Sequence, residues 1–255
     1  MAKQGGLLQN FYLEGYDLSG DVGSIEAASL LRGTLDVTGL DKTSVERIYA
    51  RRDGALSWKA FFNPDSGQAH PVLSALPTAD VQAVWALSTD TDSGLAVGDP
   101  AYGIVAKQAN YDLAAPSDGS AIFSVTAEAN SYGMDAGKLL TAGIASQASA
   151  GSLASLDGAA QTTHGLQAYL QVFSFTGTSI TVTIEESSDD GAGDAFAAVT
   201  GGAFAAVSSA PSVERIQTGR SLTVERYLRV TTSGTFSAAT FAVVVARNQT
   251  EMLLP

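Results

Sequence analysis

Leu166-Gln167-Ala168-Tyr169-Leu170-Gln171-Val172-Phe173 sets Leu166, Ala168, Leu170 and Val172 on one side of the chain and Gln167, Tyr169, Gln171 and Phe173 on the other. A period of two is that of an extended strand with one buried face. The alternation returns at Ile180, Val182 and Ile184 against Thr181, Thr183 and Glu185, and again at Phe241, Val243 and Val245. Between these runs, Ser187-Ser188-Asp189-Asp190-Gly191-Ala192-Gly193-Asp194 is a turn or loop by composition. Tyr227-Leu228-Arg229-Val230 continues the strand pattern, with a bulge or a strand start at Arg226, which otherwise falls on the face of Val224 and Leu228. Short strands separated by turn signals imply a β-sandwich in the C-terminal part.

Working back towards the N-terminus, Lys138 to Thr163 is almost entirely Ala, Gly, Ser, Thr, Gln and Leu, with Asp157 its one charge after Lys138. That composition places a domain boundary near residue 155, giving domains 1–155 and 156–255; a long hairpin or loop inside one domain is the alternative. The N-terminal part is mixed and richer in β than in α. Ala55 to Phe62, Ala79 to Leu87 and Ile122 to Ala129 read as strands. Two short helices are expected beside them. Asp41 or Thr43 can cap a segment placing Val45, Ile48 and Tyr49 on one face and ending at Asp53-Gly54, and Val72, Leu73 and Leu76 form a second face before Pro77. The fold class is therefore mainly β.

The chain has 255 residues, 14 Lys+Arg against 26 Asp+Glu, a net charge of −12, no cysteine and two histidines. Lack of cysteine excludes disulfide scaffolds, thiolate metal sites and cysteine nucleophiles. Nine basic and 17 acidic residues fall up to Ser155, and five and nine beyond it, so both parts are acidic and neither is a basic nucleic-acid module. No apolar run has the length of a membrane span, and the first ten residues lack a signal peptide's apolar stretch. No export and no membrane partner are expected.

Little in the sequence carries chemistry. Asp90-Thr91-Asp92-Ser93-Gly94 resembles the start of a calcium loop, but its glycine is one position early and Ala101 stands where the closing glutamate belongs. Glu185, Glu186, Asp189, Asp190 and Asp194 could hold a hard cation only if their loop folded back, and hairpin solubility explains them equally well. His70 and His164 lie in different parts of the chain with no linking motif, and no nucleophile elbow, zincin or phosphate-loop pattern occurs. Trp58, Phe61, Phe62 and Trp85 occupy apolar strand positions and are read as core. No catalytic residue, metal site or cofactor is assigned, and the protein is not expected to be an enzyme. The chain ends are apolar at Leu7, Leu8, Phe11 and Tyr12 and at Met252, Leu253 and Leu254, so they dock either on their own subunit or on a neighbour; these seven are the expected oligomer-interface residues.

Phe11-Tyr12-Leu13-Glu14-Gly15-Tyr16-Asp17-Leu18-Ser19-Gly20-Asp21-Val22-Gly23 resembles the opening of major tail proteins of long-tailed bacteriophages, particularly those of actinobacterial hosts. The resemblance extends through Leu35-Asp36-Val37-Thr38-Gly39-Leu40-Asp41-Lys42, Val45-Glu46-Arg47 and Arg52-Asp53-Gly54, then Trp58-Lys59-Ala60-Phe61-Phe62-Asn63 and His70-Pro71-Val72-Leu73-Ser74-Ala75-Leu76-Pro77. From Gly165 to Val243 the chain is similar to a β-sandwich module appended to many phage structural proteins. What this resemblance implies is a tail-tube-like β-sandwich or barrel with one or two short helices plus a C-terminal, surface-exposed β-sandwich. It also implies a structural virion protein, made in the host cytoplasm, whose hexameric rings stack into a tail tube alongside other tail proteins. DNA would pass down the bore during genome ejection without specific binding. Six chains at −12 bring −72 formal charges to such a ring, and an acidic wall repels DNA where a basic one would trap it. The alternatives are a capsid decoration protein and a glycan-binding virion module, the latter requiring open ring faces at aromatics such as Tyr169, Phe173 or Tyr227.

Overall fold

The computed structural model describes residues 7–90 and 93–249. The chain is mainly β, with one short helix among the described residues. The N-terminal part contains β1 (Asn10–Leu13), β2 (Tyr16–Asp17), β3 (Val22–Asp36), β4 (Arg47–Phe61), α1 (Ala69–Leu73), β5 (Val81–Ala86), β6 (Pro100–Gln108), β7 (Asp112–Ala114), β8 (Ile122–Ala129) and β9 (Asp135–Leu139). After them come three short strands, β10 (Ala145–Gln147), β11 (Gly151–Ser152) and β12 (Leu156–Asp157). The C-terminal part is dominated by β13 (Leu166–Ser187) and β16 (Tyr227–Arg247), with β14 (Ala197–Ala203) and β15 (Ser212–Gln217) on β13. The pairing order β14-β13-β16-β9-β6-β5-β1-β2 carries hydrogen bonding from one part into the other, and every strand pair is antiparallel.

The two alternating runs expected as separate strands are halves of one, because β13 pairs with β16 from Leu166↔Arg247 to Ser187↔Tyr227. Register shifts between Val172 and Ser179 bend the ribbon. At the bend Gly234 has φ +115°, and a Cβ there would lie 2.3 Å from the Ser179 carbonyl oxygen. Leu166, Leu170 and Val172 from one half and Ile180, Val182 and Ile184 from the other enter one buried cluster with Phe204, Leu228, Val230, Phe241 and Val243, so the folded ribbon is its own sandwich. Arg226 stands just before β16, where its guanidinium makes two bonds, of 2.7 and 2.6 Å, to the Asp157 carboxylate. That pairing holds the Asp157 carboxyl down at about 2.

The Ala/Gly/Ser-rich stretch is laid along β16, with Ala145↔Phe241, Gly151↔Thr232 and Leu156↔Leu228 in register. Leu140, Leu153 and Leu156 pack into the C-terminal cluster. Small residues suit this role, since the strap lies close against a strand already paired on its other side.

In the N-terminal part, Phe11, Leu13, Leu18, Leu56, Trp58, Ile104, Phe123 and Val125 form a second core. A third cluster joins the two: Tyr12, Val84, Ala86, Ala101 and Leu139 from the N-terminal part, and Tyr169, Ala242 and Val244 from the C-terminal part. Two buried amides cross this seam. Gln171 Nε2 donates to the Gln82 carbonyl at 3.0 Å, and Gln82 Nε2 donates to the Leu170 carbonyl at 2.8 Å. Where β9 crosses β16, a Cβ on Gly137 would sit 2.3 Å from the Val245 carbonyl oxygen, and backbone cannot move aside as a side chain can. Gly137→Ala should therefore destabilise the chain by about 1–3 kcal/mol, as overpacking does, read as a lowered urea midpoint at unchanged m-value.

One expected helix is present and the other is not. Leu73 is buried in α1 and Val72 packs beside it, but the helix ends before Leu76, which is exposed, and Val45, Ile48 and Tyr49 belong to a hairpin. A helix there would need an apolar partner for its stripe. Instead Thr34↔Tyr49 and Leu35↔Ile48 pair across the hairpin, and β-branched and aromatic side chains fit that arrangement better.

Candidate functional site

Strands β3 and β4 form a hairpin of two unequal halves. Near its base Ile25 and Ala28 on β3 pack with Leu56, Trp58 and Ala60 on β4, inside the N-terminal core. There β4 has a second neighbour, β8, from Phe61↔Ile122 to Ala55↔Glu128. Beyond Ala55 that third strand ends, and only β3 and β4 continue, from Leu30↔Gly54 to Asp36↔Arg47. From Leu30 to Leu40 this arm reaches up to roughly 30 Å at about 3.3 Å per residue.

The tip is closed by local polar bonds. Val37 N–H donates to the Glu46 carbonyl at 2.9 Å, Thr38 Oγ1 donates to Asp36 Oδ1 at 2.6 Å, and Lys42 pairs with Glu46 at 3.6 Å. Opposed residues of an antiparallel pair share a face. Leu35 and Ile48 therefore lie together, and strand alternation adds Leu31 to the same side. Thr34 and Tyr49 lie on the other, where the Arg32 guanidinium sits 4.5 Å over the Tyr49 ring. Leu30, Leu31, Leu35, Val37, Val45, Ile48 and Tyr49 are all exposed, and Leu40 at the tip is fully so. A two-stranded hairpin is at best marginal alone in water, and this one leaves apolar side chains exposed on both of its faces.

The arm is fixed to the body by one buried carboxylate. Asp135, 3% exposed, accepts from Arg52 Nη2 at 2.9 Å on one oxygen. On the other it accepts from Tyr169 Oη at 2.6 Å and Arg215 Nη2 at 3.2 Å. Arg52 Nη2 also reaches the Met134 carbonyl at 2.9 Å, and the Arg215 guanidinium lies 3.9 Å from the Tyr132 ring centroid. Burial, and then the Asp135 charge, push the Tyr169 hydroxyl above its usual range, so it stays a donor. The base of the arm (Arg52), β9 (Asp135), β13 (Tyr169) and β15 (Arg215) thus meet at one group.

Charge sets the arm apart as well. Residues 30–54 carry Arg32, Lys42, Arg47, Arg51 and Arg52 against Asp36, Asp41, Glu46 and Asp53, a net +1 that leaves −13 for the remainder of the −12 chain.

The expected interface residues divide. Leu7 and Leu8 are exposed; Phe11 and Tyr12, 2% and 0% exposed, lie inside the chain's own core on β1, whose register with β5 is Phe11↔Trp85 and Tyr12↔Val84. Met252, Leu253 and Leu254 lie outside the described residues. Of the aromatics expected in the core, Trp58 is buried and Trp85 stacks on Tyr102, with centroids 5.4 Å apart, whereas Phe61 and Phe62 are exposed. Of the aromatics named for a glycan site, Tyr169 is buried, Phe173 is edge-on to Tyr12 and half-buried, and Tyr227 is half-buried under Arg226.

Asp90 and Ser93 bond each other, while Thr91 and Asp92 are outside the described residues. In the acidic hairpin, Asp189 accepts from the Gly193 and Asp194 N–H groups, Asp194 accepts from Ser188 N–H, and Glu185 pairs with Arg229 at 2.8 Å, so these carboxylates close their own turn. Among the described residues no group of three or more histidines and carboxylates is arranged to hold a metal ion. His70 Nδ1, on α1, lies 2.7 Å from Tyr111 Oη, and the His164 carbonyl accepts from Asn248.

No protein-family model and no curated protein sequence matches the chain. Among solved structures it is similar to a chain from the tail of an empty GTA particle refined with C6 symmetry, at 17% identity and a TM-score of 0.35, over 51% of this chain and 95% of that one. It is also similar to the SPP1 Dit protein, described as a paradigm of the hub adsorption apparatus of phages infecting Gram-positive hosts, at 10% identity and a TM-score of 0.32, over 94% of this chain and 99% of that one.

Proposed function

We propose that this chain is a structural protein of a bacteriophage tail, whose copies close into hexameric rings that stack into a tube. Residues 1–155 would build the tube and residues 156–255 an outward-facing sandwich. The observation that carries the reading is the arm, whose apolar side chains have no cover within their own subunit and whose base is rigidly tied to the body. A free-standing monomer gains nothing from such an element, whereas a ring buries it. The −12 charge suits a conduit, because an acidic bore repels the phosphate backbone and lets DNA slide. Leu7 and Leu8, with Met252, Leu253 and Leu254, add apolar chain ends for contacts between rings.

Electron microscopy of the purified protein, concentrated and brought to moderate salt to screen repulsion between acidic subunits, tests this. Hollow tubes of stacked six-fold rings are the expected result. Monomers or trimers persisting at high concentration would overturn it in favour of a shell decoration protein, and a tube with a basic lumen would overturn the conduit.

A further inference from the structure

We propose that the arm of one copy seats on a second copy of the same chain at the opposite end of the same hairpin, across the row Phe61, Ile122 and Ala114. This rests on the self-assembly reading and names the surface that the arm meets. Strand β4 runs from the arm at Arg47 to Phe61, so the two surfaces are the two ends of one strand. Phe61↔Ile122 and Ile122↔Ala114 are in register on β4, β8 and β7, which puts the three side chains on one face. Phe61 is 53% exposed, on the outer face of β4 with Ser57 and Lys59 and opposite to the buried Trp58 and Ala60. Its ring lies beside Gly23 on β3, where a Cβ would meet ring carbons at 3.0 and 3.2 Å.

Charge chooses the occupant. The segments flanking this row, 61–78 and 108–122, contain Asp65, Asp112 and Asp118 and no lysine or arginine, and Lys59, two residues before Phe61, is paired with Glu26 at 3.4 Å, whereas the arm carries a net +1. Apolar meets apolar at the centre, and opposite charges meet at the rim. Pairing two arms with each other would instead set one net-positive element against another and leave the acidic segments beside Phe61 unmatched. Because the arm and the Phe61 row are different surfaces, the contact is heterologous, and each copy both gives and receives one; such contacts close into rings or run on into filaments.

The chain has no cysteine, so an introduced pair reports on this contact alone. Leu35→Cys and Ala114→Cys, both at exposed positions, are prepared separately, mixed in equal amounts under assembly conditions and oxidised. The mixture should give disulfide-linked dimers at least ten-fold above either variant alone. Assemblies that form without the mixed cross-link would overturn the docking surface and leave the self-assembly reading standing. Dimers from Leu35→Cys alone would overturn it in favour of arm-to-arm pairing. If neither variant nor the parent chain assembles at any salt or concentration, the self-assembly reading fails, and this contact with it.

Discussion

Leu35→Asp combined with Ile48→Asp yields a chain that unfolds at nearly the temperature of the parent yet no longer assembles. Both side chains are exposed in the single subunit, and substitutions at such positions usually change stability by no more than about 0.5 kcal/mol. In the proposed assembly they would be covered. Each loses about 1.5–3 kcal/mol of burial when replaced by a polar group, and a carboxylate placed against apolar surface adds its own desolvation cost. Two such losses at every contact weaken association by roughly 100-fold or more, since each 1.4 kcal/mol is tenfold. Sedimentation beside thermal unfolding separates the two effects. Loss of the assembled species at unchanged melting temperature is expected, whereas a melting temperature lowered by many degrees would mean that the arm packs on its own subunit.

The double substitution also explains why part of the fold could be read from the sequence and the arm could not. Strand β8 and the two halves of β13 are legible because alternation of apolar residues records a face turned to the chain's own core, whereas β5 is buried on both faces and shows as an apolar run. In the arm nothing within the subunit is buried, so no internal face imposes a period of two. What is left is a local spacing, Val45, Ile48 and Tyr49, that a helix and a strand satisfy equally well over so short a window. The same logic covers Phe61 and Phe62, which have the composition of core and the exposure of an interface.

Tyr169 and Gln171 mislead in the opposite direction. Alternation assigns them to the outer face of a half-buried strand, yet from Leu166 to Val172 every residue of β13 is buried. The second face is covered by the N-terminal part, with Tyr12 and Val84 packed beside Tyr169. Gln171 is accommodated there because the Gln82 carbonyl and the Gly15 N–H satisfy its amide. A polar residue that finds partners from a distant strand looks solvent-facing in sequence. The two chain ends show both outcomes within a few residues, Leu7 and Leu8 exposed and Phe11 and Tyr12 buried.

Asp135→Ala should cost about 3–5 kcal/mol of stability, the usual penalty for removing one partner of a buried ion pair. Arg215 is the reason. Its side chain is only 6% exposed, and without Asp135 its charge would keep only the Tyr169 hydroxyl, the Gln217 side chain and the Tyr132 ring. Arg52 is less costly to lose, because its side chain is 22% exposed and Asp135 keeps Arg215 and the Tyr169 hydroxyl without it. The ordering Asp135→Ala, then Asp135→Asn, then Arg52→Ala, from most to least destabilising, is the expected outcome in urea unfolding. A double-mutant cycle between Arg52 and Asp135 isolates the bond that ties the arm to the body. Equal losses for all three variants would show that the carboxylate does not serve Arg215 more than it serves the arm. The assembly readout adds a second axis: Arg52→Ala leaves the apolar face intact but frees its base, so each copy must order the arm as it docks. Rings should then form at a higher threshold concentration with the folded subunit nearly as stable as before, because an element that is no longer pre-positioned loses part of its binding free energy to ordering.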